Sequence, residues 1–445
     1  MQTYIQMVDK HRDRILDAFD YIWKNPETGY REWKTHRYLK TQFEQLGYTL
    51  TEAGNIPGFI TEIDTGKDGP TIAVFGEMDG LIIPEHPDAD PETGAVHACG
   101  HACQTAALLG LAAALKEEGA LDGLCGKIRL VVVPAEEGIE AEFRDGLCRD
   151  GIIHYTSGKV EFLYRGLLND VDMAFMIHAD TTPAHTGSMN GGSNGLVRKV
   201  AVFGGVAAHA GGEPHKGVNA LYAANLALSA INALRETFED DKHIRVHPII
   251  ANGGASVNVI PDVVRMETFV RGADMNAVVE VNRKVNRAIA ASAAAMGATV
   301  RISDDCGTCP RWTDRVMAPV FTQAMEQVLT AVDYGPERWG TGCSDMGDIA
   351  ALMPTIHGYV GGAEGTEHGK TYRIAHPETA CVDSAKVQLI ALRLFLQNDA
   401  ANAWNAIRSY NPCFANIRDY FTFKNNLAGD YEAVSYQDGT VTLTV

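Results

Sequence analysis

Thr71-Ile72-Ala73-Val74-Phe75 is an uninterrupted apolar run of the kind that forms a buried β-strand. Two further runs follow it, Ile128-Arg129-Leu130-Val131-Val132-Val133 and Met173-Ala174-Phe175-Met176-Ile177. Between the first two lies an Ala- and Leu-rich segment, about Thr105 to Glu118, which predicts a helix. Apolar strands that alternate with helices are typical of a mainly parallel sheet with both faces covered. The sequence therefore predicts an α/β domain.

A different pattern begins after Gly187 to Gly195, a glycine-rich stretch with the composition of a hinge. The segments beyond it have the order β-α-β-β-α-β: Val197–Phe203, Val218–Leu234, Arg245–Ala251, Val263–Val270, Met275–Met296 and Thr299–Ile302. This order is the ferredoxin-like split motif. We therefore predict a two-domain fold, in which 193–305 is a smaller domain inserted between 1–192 and 306–445. The residues after Leu396 form a tail to which the sequence assigns no structure.

Composition limits the classes of partner. The chain has 445 residues and a formal net charge of −18, with 46% hydrophobic and 21% charged residues. These globular proportions exclude disordered and low-complexity proteins, and the length suggests two or three domains. The acidic balance argues against nucleic acids and anionic membranes as partners, since no basic cluster offsets it.

The cysteines and the N-terminal residues predict an intracellular protein. Nine cysteines are few for this length and odd in number, which favours reduced thiols in the cytoplasm. The first ten residues lack the apolar stretch of a signal peptide, and no segment reaches the ~18 uncharged apolar residues of a membrane span. We therefore expect a cytoplasmic location.

The densest group of reactive side chains is His97-Ala98-Cys99-Gly100-His101, just before the Ala-rich helix. Imidazole and thiolate are ligands of borderline-soft divalent metals, and residues two apart in a turn can face one point. The alternative is a strand-to-helix turn in which the histidines only cap or hydrogen-bond.

Acidic side chains and a further histidine follow the predicted strands. Glu136 and Glu137 come after the second run, and adjacent carboxylates are costly unless a cation neutralises them or one takes a proton. A solvated acidic loop is the simpler alternative. His178 follows the third run and Asp79 the first. Because open α/β sheets bind ligands at the carboxyl ends of their strands, we expect these residues on one rim.

These motifs, taken together, resemble those of the M20 metallopeptidase and amidohydrolase family. The matching motifs run in order from about residue 70 to residue 390, and they include Gly76–Leu81, His97–His101, Pro134–Gly138 and Ala207–Ala210. The subgroup resembled most is that of aminoacylase-like enzymes and the p-aminobenzoyl-glutamate hydrolase B subunit. The resemblance implies a two-metal α/β catalytic domain with a ferredoxin-like lid that also dimerises.

Roles for individual residues come from this resemblance. It implies two divalent metal ions per subunit, Zn²⁺ or Mn²⁺, with Co²⁺ as a further candidate. Four ligands follow directly: Cys99, His101, Glu137 and His178. Glu136 becomes the general base, and Asp79 holds a ligand imidazole in the right tautomer. Ala102 stands where relatives usually have Asp or Asn, and Glu77 where many have Asp.

The last metal ligand is ambiguous. Gly365-Thr366-Glu367-His368-Gly369 resembles the Gly-Thr-x-His loop of the hydrolase-B-like subgroup, whereas His376-Pro377-Glu378 resembles the His-x-x-Glu ending of other branches. The spacing favours His368 and leaves His376 as the alternative.

The inserted domain would supply residues that contact the substrate. By resemblance, His209 donates to the developing oxyanion from the partner protomer of a homodimer, and Asn258 and Arg271 bind the substrate's carboxylate. From residue type alone, His209 and Arg271 could equally be surface side chains. The implied reaction is hydrolysis of the amide bond of an N-acyl or aryl-amide amino acid. A dipeptidase or carboxypeptidase of the same family, and a non-catalytic carboxylate-binding protein, are the alternatives.

Overall fold

The structure is a computed structural model that describes residues 2–445. Its α-helices are α1 (Gln2–Asp9), α2 (Arg12–Trp23), α3 (Trp33–Gln45), α4 (His101–Ala114), α5 (Ala141–Arg149), α6 (Gly158–Tyr164), α7 (Ala220–Leu234), α8 (Met275–Ala295), α9 (Met317–Glu326), α10 (Met346–Ala350), α11 (Ser384–Ser409) and α12 (Ile417–Leu427). Its strands are β1 (Thr51–Glu52), β2 (Phe59–Asp64), β3 (Thr71–Glu77), β4 (Leu81–Ile82), β5 (Ala95–Val96), β6 (Lys127–Val133), β7 (Met173–Ala179), β8 (Thr186–Ser193), β9 (Gly195–Gly204), β10 (Arg245–Val246), β11 (Ile249–Asn252), β12 (Val263–Gly272), β13 (Thr299–Asp304), β14 (Arg311–Trp312), β15 (Ala331–Gly340), β16 (Thr355–Val360), β17 (Ala363–Glu364), β18 (Arg373–Ile374), β19 (Gly429–Gln437) and β20 (Thr440–Leu443).

The chain folds into two units. The first contains the residues up to Gly191 together with Trp312–Arg338 and Asp348–Pro412. The second contains Gly192–Arg311, Trp339–Gly347 and Cys413–Val445. Across residues 2–445, no helix combines the length and the apolar character needed to cross a lipid bilayer.

The first unit is built on a nine-stranded sheet in the order β1-β2-β6-β3-β7-β16-β8-β14, with β15 also paired to β8. β3 pairs in parallel with β6 and β7, and β7 with β16. Every residue of β3 and β7 is buried, which explains why both strands are continuous apolar runs. The prediction of a mainly parallel α/β sheet is confirmed.

Helix α4 packs against β3 and is buried along its whole length. It begins at His101, four residues earlier than the sequence indicated, so His101 lies in its first turn. A helix that is apolar on all sides belongs in the core. Because α4 is packed there along its whole length, His101 in its first turn has a fixed position.

The second unit is an antiparallel sheet in the order β10-β12-β9-β13-β19-β20, against which α7 and α8 pack. The predicted ferredoxin-like order is confirmed, except that the strand predicted for residues 245–251 is divided into β10 and β11. Pro248 lies between the two pieces, and proline has no amide hydrogen for the ladder.

The C-terminal residues differ from the prediction. Residues 413–445, part of the tail to which the sequence assigns no structure, form α12, β19 and β20 and belong to the second unit. They do so because β19 pairs with β13, where Val300 faces Val434. The remaining predicted domain boundaries stay predictions.

Candidate metal centre

The reactive side chains of the first unit lie at the carboxyl ends of its central strands. Asp79 follows β3, Glu136 and Glu137 follow β6, and His178 is near the end of β7. Because these strands are parallel neighbours, their ends meet at one edge of the sheet.

Cys99 lies at the centre of a cluster with two histidines. Its Sγ is 3.3 Å from Nε2 of His178 and 3.4 Å from Nε2 of His368. Nε2 of His368 is also 3.4 Å from Oε1 of Glu137. Nδ1 of His178 contacts the main-chain oxygen of Ala179 at 2.6 Å, so Nε2 is the nitrogen turned toward Cys99.

A second cluster surrounds His101. Its Nδ1 lies 2.8 Å from the main-chain oxygen of Asp79 and 3.2 Å from Oδ1 of the same residue. This contact places the ring hydrogen on Nδ1 and leaves Nε2 as the lone-pair nitrogen. Nε2 is 4.0 Å from Oε2 of Glu136 and 3.2 Å from Oε2 of Glu77. Asp79 also accepts the main-chain amide hydrogen of Glu137 at 2.9 Å.

The backbone around Cys99 needs a glycine. Gly100 has φ of +114°, and a Cβ there would lie 2.9 Å from the hydroxyl oxygen of Tyr372. That hydroxyl donates to the main-chain oxygen of Cys99 at 3.0 Å. Without a side chain at position 100, the chain can turn so that Cys99 and His101 both face the cluster.

The donor atoms fit divalent cations. In three groups, the ligand atoms all lie within 4.8 Å of one another: Cys99, His101 and His178; Cys99, Glu367 and His368; His101, Glu136 and Glu137.

Nε2 of His101 and Oε1 of Glu137 are buried and form no hydrogen bond within residues 2–445. Burial, followed by the negative charge of Glu137, raises the pKa of the Cys99 thiol well above its ordinary value. Thiolate, imidazole and carboxylate are all ligand types of divalent metal ions in proteins.

The two candidates for the last ligand are placed differently. His368 has a left-handed backbone with φ of +57°, and its amide donates to the main-chain oxygen of Ala98 at 3.0 Å. These features hold its ring beside Cys99. His376 is exposed and belongs to none of the three groups.

The remaining predicted residues are in the second unit. Nδ1 of His209 accepts the amide hydrogens of Gly211 and Gly212, at 3.2 and 2.9 Å, so its ring hydrogen is on Nε2. Asn258 is exposed. Arg271 is half-buried, donates to Sγ of Cys343 at 3.6 Å, and has a buried Nε without a hydrogen bond among the described residues.

Three residues at the two clusters were not predicted from the sequence: Gln104, Lys159 and Glu367. Glu77 forms a buried ion pair with Lys159 and accepts a hydrogen bond from Nε2 of Gln104 at 2.8 Å. The spacing of Gln104, three residues after His101 on the same helix, could have indicated it. No signal in the sequence marks Lys159 as buried. Glu367, which belongs to the second group of ligand atoms, was not predicted as a ligand.

Comparisons with known proteins agree with this description. Residues 186–296 match the M20 family model of a peptidase dimerisation domain. The chain is 27% identical over 430 residues to the p-aminobenzoyl-glutamate hydrolase B subunit of Escherichia coli (strain K12), covering 92% of this chain and 82% of that protein. It is 33% identical over 329 residues to indole-3-acetyl-aspartic acid hydrolase of Enterobacter agglomerans, covering 62% of this chain and 70% of that one.

A solved structure shares the fold. A dinuclear metal-binding peptidase of the M20 family from Bacillus subtilis superposes with a TM-score of 0.65 at 22% identity, over 86% of this chain and 98% of that one. Fold and sequence define a two-unit α/β hydrolase with its reactive residues at the carboxyl edge of a sheet. The chain belongs to the M20 family of metallopeptidases and amidohydrolases, which confirms the resemblance.

Proposed function

We propose that this chain is a dinuclear metal-dependent amidohydrolase that cleaves the amide bond of an N-acyl amino acid with a free carboxylate. The observation that carries the proposal is that the group of Cys99, His101 and His178 shares Cys99 with the second ligand group and His101 with the third. Together these groups would hold two divalent ions. The names of the two curated relatives, both hydrolases of acylated amino acids, support the substrate class.

The metal ligands we propose are Cys99, His101, Glu137, His178 and His368. When bound, two divalent ions would polarise the scissile carbonyl and lower the pKa of the attacking water. We propose that both ions are Zn²⁺ or Mn²⁺, since the cluster combines a thiol with imidazoles and carboxylates.

Glu136 is the proposed general base. It is the less buried of the two adjacent carboxylates, with 12% of its side chain exposed against 8% for Glu137. It would take a proton from the attacking water and return it to the departing nitrogen. Asp79 would keep the Nδ1 hydrogen of His101 in place.

The second unit supplies the proposed substrate contacts. Because Nδ1 of His209 accepts main-chain hydrogens, its Nε2–H is a donor suited to a developing oxyanion. Arg271 and Asn258 would bind the substrate's carboxylate through their N–H groups. We further propose a homodimer that pairs through the second unit, and a cytoplasmic location, which suits nine cysteines that form no disulfide within residues 2–445.

A liquid-chromatography screen tests the proposal. Chelated protein is incubated with N-acyl amino acids and dipeptides, with and without Zn²⁺, Mn²⁺ or Co²⁺. We expect turnover of N-acyl amino acids only after metal is restored. Full activity in a metal-free sample would refute the metal dependence, and a preference for dipeptides would favour the dipeptidase alternative.

The base is tested by Glu136→Gln, with Glu140→Gln as the matched control in the same loop. General base catalysis contributes about 10²–10⁴-fold, so E136Q should lose at least 100-fold in kcat while still binding substrate. Equal activity of E136Q and wild type would contradict the role. Binding without turnover in the wild type itself would favour the non-catalytic alternative. Scattering from an active monomer would contradict the homodimer.

A further inference from the structure

The turn that carries Glu136 is held on both sides by buried carboxylates. Before Glu136, Ala135 donates its amide hydrogen to Oε1 of Glu32 at 2.8 Å. After it, Glu137 donates its amide hydrogen to Oδ2 of Asp79 at 2.9 Å. Asp79 is part of the predicted rim, whereas Glu32 lies 103 residues upstream of Ala135.

Ala135 needs such support because its backbone is left-handed. Its φ is +58°, which side chains other than glycine rarely adopt. Its carbonyl oxygen accepts the amide hydrogen of Gly158 at 3.1 Å. A Cβ on Gly29 would lie 2.9 Å from Cα of Ala135, so the loop before α3 packs directly against this residue. The conformation of Ala135 is therefore imposed by its surroundings.

Glu32 is unusual for a structural residue. It is fully buried, and its Oε2 forms no hydrogen bond within residues 2–445. Burial, with the negative charge of Asp79 added, raises the pKa of Glu32 well above its ordinary value. Burying a carboxyl group with one oxygen unpaired is unfavourable, and the other oxygen, Oε1, accepts the amide hydrogen of Ala135.

We propose that Glu32 is a positioning residue for the general base: by holding the amide of Ala135, it fixes the direction in which Glu136 presents its carboxylate. The inference rests on the proposed function of Glu136. Asp79 holds the following residue, so the two side chains together fix the backbone from which the Glu136 side chain extends.

Three substitutions at position 32 distinguish the effect of side-chain length from the effect of side-chain charge. Glu32→Gln keeps an oxygen at the distance of Ala135 but carries no charge. Glu32→Asp keeps the carboxylate and withdraws it by one methylene, and Glu32→Leu removes the acceptor. If Glu32 acts by reaching the amide, E32Q should keep most of the wild-type kcat while E32D and E32L lose it. A displaced base can cost on the order of 100-fold.

The matched control is Glu27→Leu in the same loop. Glu27 accepts the amide hydrogens of Lys34 (3.0 and 2.9 Å) and Thr35 (2.9 Å) and does not hold the Glu136 turn. E27L should lower the unfolding temperature without changing kcat. Amide hydrogen exchange of peptides covering 133–138 should accelerate in E32L and E32D, and stay unchanged in E27L and E32Q.

Metal content and KM complete the experiment. Glu137 remains held by Asp79, so E32D and E32L should keep wild-type metal affinity and KM while kcat falls. In an E136Q background, E32L should cause no further loss, because two residues acting as a unit are not additive. Wild-type kcat in E32L and E32D, greater activity of E32D than E32Q, or loss of metal in proportion to kcat would overturn the inference. An inactive wild type would instead refute the proposed function, and the exchange measurement would still report on the turn.

Discussion

Asp79 contacts two candidate ligands at once, since it holds Nδ1 of His101 and the main-chain amide of Glu137. It is fully buried, and one carboxylate therefore couples the N-terminus of α4 to the turn after β6. Nδ1 of His101 contacts Oδ1 of Asp79 at 3.2 Å, and the amide of Glu137 donates to Oδ2 at 2.9 Å, so a shift of either ligand loosens a contact to the same carboxylate.

Asp79→Asn should weaken metal binding by about 10–100-fold, since an amide cannot accept from both partners. Competition with a chromogenic chelator measures this affinity. Asp172→Asn is the matched control: Asp172 accepts the main-chain amide of Thr71 at 2.8 Å, at the other end of β3. Equal metal affinity of D79N and D172N would contradict the role of Asp79.

Lys159→Met should be strongly destabilising, because it leaves Glu77 without its cation. Both side chains are almost fully buried, and removing one partner of a buried pair costs about 3–5 kcal/mol. The double variant Lys159→Met/Glu77→Gln should recover much of this loss. Midpoints of urea unfolding give the comparison.

The control for that experiment is an exposed pair in the same sheet. Lys127 contacts Glu62 at 2.8 Å with 43% of its side chain exposed, and such solvent-screened pairs contribute little to stability. Lys127→Met should therefore change stability little. A similar loss in K127M and K159M would show that burial of the Lys159 pair is not what matters.

The sequence predicted the rim of the candidate centre because local patterns marked it. Cys99, His101, Glu136 and His178 each adjoin an apolar run or a buried helix, so strand ends could be located and the side chains placed there. Supporting residues such as Lys159 could not be found in this way. Lysine is almost never fully buried, and its pairing with Glu77 depends on a contact across 82 residues.

The same limit applies to the end of the chain. β19 pairs with β13 from Asp304↔Gly429 to Val300↔Val434, more than a hundred residues apart. Its residues are mostly exposed, so no continuous apolar pattern marks a strand. Spacing in the sequence favours His368 over His376, but it does not show that the loop after β17 folds back so that the amide of His368 reaches Ala98.

His36 should make stability depend on pH below neutrality. Burial lowers its pKa, and its Nδ1 accepts the amide hydrogen of Gly58 at 2.9 Å, which only the neutral ring can do. The unfolded chain, with a pKa near ~6.5, then binds more protons than the folded one. The stabilisation by neutral His36 is fully present above the unfolded-state pKa. It is lost as the pH falls through the pKa of His36 in the folded protein.

His36→Asn tests this dependence, since its amide oxygen can replace Nδ1 as acceptor and does not titrate. The free energy of unfolding is measured for both proteins between pH 7.5 and 5. The difference between them should change with pH by at most ~1.4 kcal/mol per unit, with the wild type losing more on acidification. Parallel curves would show that His36 titrates alike in both states.

Removing residues 413–445 should destabilise the second unit and expose an edge strand. Tyr420, Ala433 and Val434 are fully buried in the unit, and β19 covers the backbone edge of β13. A chain that ends at Pro412 leaves that edge open, and unpaired edges promote aggregation. We expect it to elute as larger species and to be cleaved by protease within 192–311. A chain that ends at Gln437 is the control, because it lacks β20 but keeps β19 on β13. If the shorter chain elutes and resists protease like the full protein, the C-terminal segment does not stabilise the sheet.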